Sequence, residues 1–259
     1  VYKLIIHICS KKYNEQPELF SSNVGIKEAF DQDYLEKYSV IRKYHWNNFV
    51  TAIKKQNRFH TDYINKEVLS LFLKSVEKAY EKGTIFYRAR VCSNETGIDT
   101  SQMGAPPATK ATAGRANSEG ISCLYLADSQ KTTIHEIRAG IYDYITIGKF
   151  VLLQDIIVIN LADIDKISPF SEMDYTQYAV NMEHLKMIRN ELAKPLRRYD
   201  SALDYLPTQY ISDYIKSQMY DGIEYISIMC KEGFNLAIFN EELFRCTDTS
   251  VFDIKDLEY

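Results

Sequence analysis

An arginine at 88, a glutamate at 136 and a serine at 227 are the residues of this 259-residue chain whose types and settings could do chemistry. Arg88 interrupts the apolar run IFYRARV, Glu136 lies in TTIHEIRAG, and Ser227 lies inside YISIM. A guanidinium presents paired donors suited to a phosphate or carboxylate. A carboxylate stabilises developing positive charge, and a hydroxyl orients an oxygen. Further polar residues gather where strands and loops meet: Gly114, Arg115 and Asn117 in GRAN, Tyr125 in LYLA, and Arg90. Each also has a structural explanation. Arg88 or Arg90 could lie on a solvent face, Ser227 could be a small core residue, and Glu136 could pair with Arg138 or a lysine.

Two well-known motifs come close and fail. GAPPATKA (104–111) has Thr109 where a phosphate-binding P-loop needs its second glycine, and Ala111 where it needs a hydroxyl for Mg²⁺. HEIRAG (135–140) opens like a zinc-protease helix, but Ala139 stands where the second histidine must share the metal. No metal site is expected. An RxxxxH pair of a helical RNase is absent too, since Arg42 and His45, like Arg58 and His60, stand too close.

The stretch GAPPATKATAGRANSEG (104–120) contains no Leu, Ile, Val or aromatic residue. It carries three of the chain's 10 glycines and two of its 6 prolines. A loop this long inside a domain is either disordered or working at a site.

The elements that must position these residues are readable from periodicity. Residues 25–83 read as two or three helices; in NKEVLSLFLKSVEKAYEKG, apolar residues recur at three- and four-residue steps up to a stop at Gly83. From Thr84 the texture changes. TIFYRARV and ISCLYLA read as strands, SQKTTIHEIRAGI as a helix capped by Ser129, and YITIGKFVLLQDIIVINL as two strands about Gly148. Residues 175–203 and 207–219 read as helices, the second opening at Pro207. YDGIEYISIM and FNLAIF read as neighbouring strands joined across Gly233. The fold class is α+β: a helical N-terminal region over 1–83, then a mixed domain over 84–259.

Composition narrows the function. Hydrophobic residues make up 46% and charged residues 25%, as in soluble globular proteins. A net charge of −4 gives no electrostatic case for nucleic acid. No apolar run reaches the roughly 18 residues of a membrane span, and no signal-peptide cleavage pattern follows the opening VYKLIIHICS. The 5 scattered cysteines form no CxxC pair, which points to reduced thiols in a cytoplasmic protein. The chain opens on Val1 and not on Met, which leaves an extension upstream open. The 20 tyrosines suit a Tyr-rich core and also interfaces, which leaves a homo-oligomer open.

FYRAR at 86–90, MGAPPATKATAGRANSEGISCLYLADSQKTTIHEIR at 103–138 and PTQYISDYIKSQMYDGIEYISIMCKEGFNLAIF at 207–239 together resemble the RES-domain family, over roughly 84–240. Members are bacterial toxins that degrade NAD⁺ on a fold related to ADP-ribosyltransferases. The family's Arg, Glu and Ser fall on Arg88, Glu136 and Ser227. Its GR-N-x-x-G loop falls on Gly114, Arg115, Asn117 and Gly120, and its LYLA tyrosine on Tyr125. The second serine of the family's YxSS is Ile228 here. The first 83 residues resemble the helical extension of larger members.

The resemblance implies an NAD⁺-degrading toxin or defence effector with an antitoxin or regulatory partner. NAD⁺ is the substrate and no resident cofactor is needed. Nicotinamide leaves as a neutral base, so no general acid has to protonate it. One carboxylate, Glu136, then suffices to hold the ribose hydroxyls and steady the oxocarbenium-like centre. Arg88, then Arg115, are candidates for the pyrophosphate, with Arg90 beside them. Tyr125 would stack on nicotinamide or hold a ribose hydroxyl, and Ser227 would donate to a phosphate or orient a substrate oxygen. The acceptor is water or inorganic phosphate. Residues 104–120 are expected to cover the substrate, with Arg115 and Asn117 facing it. An ADP-ribosyltransferase with a macromolecular target and a non-catalytic NAD⁺ or ADP-ribose sensor are the alternatives.

Overall fold

In a computed structural model, the described residues are 2–20, 26–42, 45–168, 174–195 and 201–255. Eight strands form one sheet. In chain order they are β1 (Glu77–Tyr80), β2 (Ile85–Cys92), β3 (Leu124–Ala127), β4 (Tyr144–Leu152), β5 (Ile156–Asn160), β6 (Gly222–Ile226), β7 (Phe234–Ile238) and β8 (Phe244–Asp253). Their order across the sheet is β1-β5-β6-β7-β3-β2-β4-β8. Every pairing is antiparallel except β5 with β6. A parallel pair needs a long crossover, and here it carries two helices, α7 (Tyr175–Ala193) and α8 (Leu206–Ser217).

Among the described residues six shorter α-helices accompany them: α1 (Tyr2–Ile8), α2 (Ser10–Glu15), α3 (Gln32–Tyr38), α4 (Trp46–Lys55), α5 (Lys66–Lys74) and α6 (Gln130–Glu136). The largest core lies on the helical face of the sheet. There Phe49 of α4 and Leu69 and Phe72 of α5 pack with Leu185, Ile188, Ile211 and Ile215 of α7 and α8, and with Ile223 of β6. Alternation along the strands sends Leu124, Leu126, Leu236 and Ile238 to the other face, where they bury Phe86, Met103 and Phe150. A third, small cluster seats Ile134 and Ile137 on Ala89, Ile145 and Ile147. Among the described residues no helix is long and apolar enough to cross a membrane.

The mixed α+β class and the helical N-terminal region hold. Several element boundaries do not. The helix expected to run to Gly83 stops at Lys74, and Glu77–Tyr80 becomes β1, paired with Ile156–Ile159 of β5. Val76, Ala79 and Tyr80 fit a helical period, but pairing along a sheet edge overrides local preference. The break expected at Gly148 is absent. β4 runs straight through it, and the turn falls at 153–155. Gly148 is instead a point of tight packing, where a Cβ would meet the Cys246 sulfur at 3.0 Å. The helix expected over 175–203 ends at Ala193, and residues 196–200 lie outside the described residues. β8 is an element that the periodicity did not announce.

His184 of α7 is 7% exposed, and burial pushes its imidazole down to about 4. Its ordinary value is near 6.5, so as pH falls the unfolded chain takes up this proton first. Stability from this group is full above about 6.5 and is lost as pH falls toward 4. Between pH 7 and pH 5 the expected loss is ~2 kcal/mol. Denaturant midpoints at the two pH values should fall less in His184→Gln than in the wild type; equal falls would clear His184 of that role.

Candidate active site

The site opens where the sheet comes apart. β2 and β3 are joined at a single paired position, Tyr87 opposite Ala127. Beyond it the strands diverge, and a cleft of about 280 Å³ lies between Arg88 and Ala89 on one side and Tyr125 and Leu126 on the other. α6 closes one wall. Ser129 caps it, its side chain accepting from the Thr132 amide, and Thr133 Oγ1 accepts from the Ala89 amide at 2.8 Å, which ties the helix to β2. Arg138 takes a left-handed backbone (φ 50°) and ends the helical run, so Glu136 stands on the last turn facing the cleft.

A carboxylate near a helix C-terminus meets the unfavourable end of the backbone dipole, so Glu136 needs partners. It has three. Oε1 accepts from Ser227 Oγ at 2.7 Å and from Asn235 Nδ2 at 2.8 Å, while Oε2 accepts from Arg115 Nη2 at 3.3 Å. The side chains of Arg115 and Glu136 are 14% and 16% exposed, so the pair is shielded but open to the cleft. Arg115 is itself fixed twice more. Its Nη1 donates to the Ala193 carbonyl at 3.1 Å, and its guanidinium lies 5.4 Å from the Tyr225 ring centre. Burial pushes against the Arg115 charge, yet Tyr225 and Glu136 hold its pKa above the ordinary value.

Arg88 stands differently. It lines the same cleft, but its Nη1 is buried with no hydrogen-bond partner among the described residues. Desolvation, with Arg90 next, pushes its guanidinium down to about 10. A buried donor without a partner costs free energy. This one lines the cleft that also holds Glu136.

The 104–120 stretch is pinned at many points. The Ala105 amide donates to Glu241 Oε2 and the Gly120 amide to the Ala111 carbonyl. Gln209 of α8 donates through one nitrogen to the carbonyls of Gly114 and Asn117, both at 2.9 Å. Asn117 is the staple of the loop. Its Nδ2 donates to the carbonyls of Thr112, Ser118 and Ile121, and its Oδ1 accepts from the Tyr125 hydroxyl at 2.7 Å. Gly114 fits tightly against that pair: a Cβ there would lie 2.5 Å from Asn117 Oδ1 and 2.6 Å from the Tyr125 hydroxyl. Gly114→Ala is therefore expected to destabilise the fold by about 1–3 kcal/mol. A denaturant midpoint equal to the wild type would show that the loop accommodates the methyl group.

Of the residues the sequence singled out, Arg88, Gly114, Arg115, Tyr125 and Glu136 line one cleft, and Ser227 reaches Glu136. Three expectations need correction. Asn117 is 4% exposed and bonded within its loop, so it builds the wall and does not face a ligand. Arg90 points elsewhere, its Nη1 donating to the Gln102 carbonyl. Ser227 is not mid-strand: β6 ends at Ile226, and Ser227 begins the turn, accepting from the Cys230 amide. The Tyr125 hydroxyl is also committed, donating to Asn117 and accepting from the Ala116 amide at 3.0 Å. Asn235, Gln209, Tyr205 and Tyr225 were not anticipated. Asn235 carried a signal, since it interrupts FNLAIF as Arg88 interrupts IFYRARV. Among the described residues no three His, Cys, Asp or Glu side chains are grouped to hold a metal.

Comparison with known proteins adds a family. The model of the RES domain matches residues 85–257. No curated protein matches the chain. Among solved structures, the M. tuberculosis MbcT–MbcA toxin–antitoxin complex is similar at 12% identity and a TM-score of 0.46, covering 71% of this chain and 92% of that one.

Proposed function

The chain belongs to the RES-domain family, and on that premise we propose that it cleaves the nicotinamide–ribose bond of NAD⁺ as a bacterial toxin or defence effector. The observation that carries the reading is the juxtaposition in one cleft of a fixed carboxylate, Glu136, and Arg88, whose buried Nη1 has no hydrogen-bond partner among the described residues. A dinucleotide offers what each lacks. Its pyrophosphate accepts from the Arg88 guanidinium, relieving the unpaired donor. Its nicotinamide-side ribose becomes cationic as the bond breaks, and Glu136 stabilises that charge without itself moving a proton.

Glu136 is held at the needed orientation by Ser227 and Asn235, so little reorganisation accompanies the charge development. Arg115 neutralises Glu136. In this reading an arriving phosphate competes for Arg115 and frees one carboxylate oxygen for the ribose hydroxyls. The Tyr125 ring forms part of the wall against nicotinamide, while its hydroxyl keeps the loop in place. Bond cleavage leaves the ribose C1′ electron-poor, and the new C–O bond forms there either to water, whose proton passes to solvent, or to an oxygen of inorganic phosphate. NAD⁺ is substrate, and no resident cofactor enters the scheme. An antitoxin or other regulatory partner would hold such an activity in check in the cell.

The test is direct. Purified protein is incubated with NAD⁺, with and without inorganic phosphate, and the products are separated by chromatography. Release of nicotinamide in the absence of any macromolecule supports the reading, and dependence on phosphate assigns the acceptor. NAD⁺ that survives both conditions would sink it.

A further inference from the structure

Resting on that reading of the cleft, we propose that the N-terminal region completes the substrate site: a second cleft, walled in part by α4, takes the adenosine half of the dinucleotide. The first cleft, at about 280 Å³, falls just below the roughly 300–1,000 Å³ range of small-molecule sites. NAD⁺ carries two nucleosides, and the nicotinamide ribose with its phosphates accounts for that space. The second nucleoside needs room of its own.

That room lies in a neighbouring cleft that shares a lining residue with the first. Tyr205 lines the first cleft and also a second of about 220 Å³. A second link joins them: Arg115 of the first cleft donates to the carbonyl of Ala193, and the next residue, Lys194, lines the second. The remaining lining comes from Val50 and Lys54 of α4, Glu191 of α7, Asp204 in the turn before α8, and Pro207 in the first turn of α8. α4 lies outside the 85–257 region matched by the family model.

The lining chemistry suits a nucleoside better than a further anion. Both lysines are already matched by carboxylates, Lys54 by Asp204 and Lys194 by Glu191 at 3.9 Å. The cleft is therefore charge-balanced and does not concentrate phosphate. Val50, Pro207 and the Tyr205 ring offer an apolar wall to a base. Carboxylates beside them accept from ribose hydroxyls, as the acidic residue of dinucleotide sites commonly does. The Glu191–Lys194 pair is long and half-exposed, so Glu191 is free to change partner at small cost.

The experiment compares NAD⁺ with nicotinamide mononucleotide, which carries the same scissile bond and lacks the adenylyl half. Binding energy from a remote substrate part shows as a difference between whole and truncated substrates. In Glu191→Trp, which fills the second cleft, the ratio of kcat/KM for NAD⁺ to that for the mononucleotide should fall at least tenfold. Glu191→Ala should lower it by a smaller factor. Thermal melts confirm that both variants fold. A ratio that stays at its wild-type value overturns the subsite.

Calorimetric titration with adenosine monophosphate gives a readout independent of turnover. Binding to wild type that is lost in Glu191→Trp supports the subsite even if neither substrate is cleaved, in which case only the catalytic reading falls. Equal affinity in the two proteins, or none in wild type, overturns the subsite while leaving any observed NAD⁺ cleavage standing.

Discussion

Replacing Glu136 by Gln is expected to lower NAD⁺ turnover by about 10²–10³-fold, the range seen when one preorganised electrostatic group is removed from a transition state. The substitution is nearly isosteric. The amide oxygen still accepts from Ser227 and Asn235, which now hold Glu136 at 2.7 and 2.8 Å. What disappears is the negative charge facing the developing oxocarbenium ion. Loss should therefore appear in kcat with a smaller change in KM. The melting temperature should fall modestly, because Arg115 loses its carboxylate partner and keeps its bond to the Ala193 carbonyl. Undiminished turnover in a folded Glu136→Gln protein would remove Glu136 from the chemistry and with it the proposed mechanism.

Arg88→Met separates function from stability in the opposite sense. The buried Nη1 of Arg88 has no partner among the described residues, so the fold carries the cost of a desolvated donor. A buried unsatisfied group costs about 1–3 kcal/mol, and more when charged. Methionine has a similar unbranched stem and no donor to satisfy. The variant is expected to be more stable by roughly that amount, raising the melting temperature by several degrees in a chain of this size. At the same time its affinity for ADP-ribose should fall roughly 10- to 100-fold, the worth of a charge-assisted hydrogen bond. Calorimetry on both proteins checks the pair of effects. A variant that is less stable yet binds ADP-ribose normally would make Arg88 a structural residue. Stabilisation with lost binding is the signature of a site held ready at the expense of the fold.

Much of this arrangement was legible because it is local. Ser129 caps α6 three residues before Thr132, and the Glu136 carboxylate follows one turn later. The glycine and proline content of 104–120 announced an irregular wall. What the sequence concealed depends on which strands become neighbours. Asn235 reaches Glu136 only because β7 pairs with β3, and no spacing rule connects residues 99 positions apart. The cleft itself follows from β2 and β3 parting after Tyr87 and Ala127, which is a property of the sheet and not of either strand. Asn117 was misread for a related reason: an asparagine in a loop serves a ligand and a loop backbone equally well, and only the position of Tyr125 decides. β1 was hidden because Val76, Ala79 and Tyr80 satisfy a helical period, while their partner strand lies at 156–159. β8, with mostly exposed side chains, gave no apolar alternation to read.

The order of strands across the sheet also sets an order of assembly during synthesis. β6 and β7 are made late, yet they fill the gap between β5 and β3 at the middle of the sheet. A chain emerging from the ribosome as far as Asp221 holds Arg88, Arg115 and Glu136 but not Ser227 or Asn235, so nothing from those strands yet orients the carboxylate. Its sheet is also split, because β5 and β3 have no strand between them. Long-range pairings of this kind form slowly and only once both partners exist. Under the proposed activity, the chain would become competent only when the final strands close the gap.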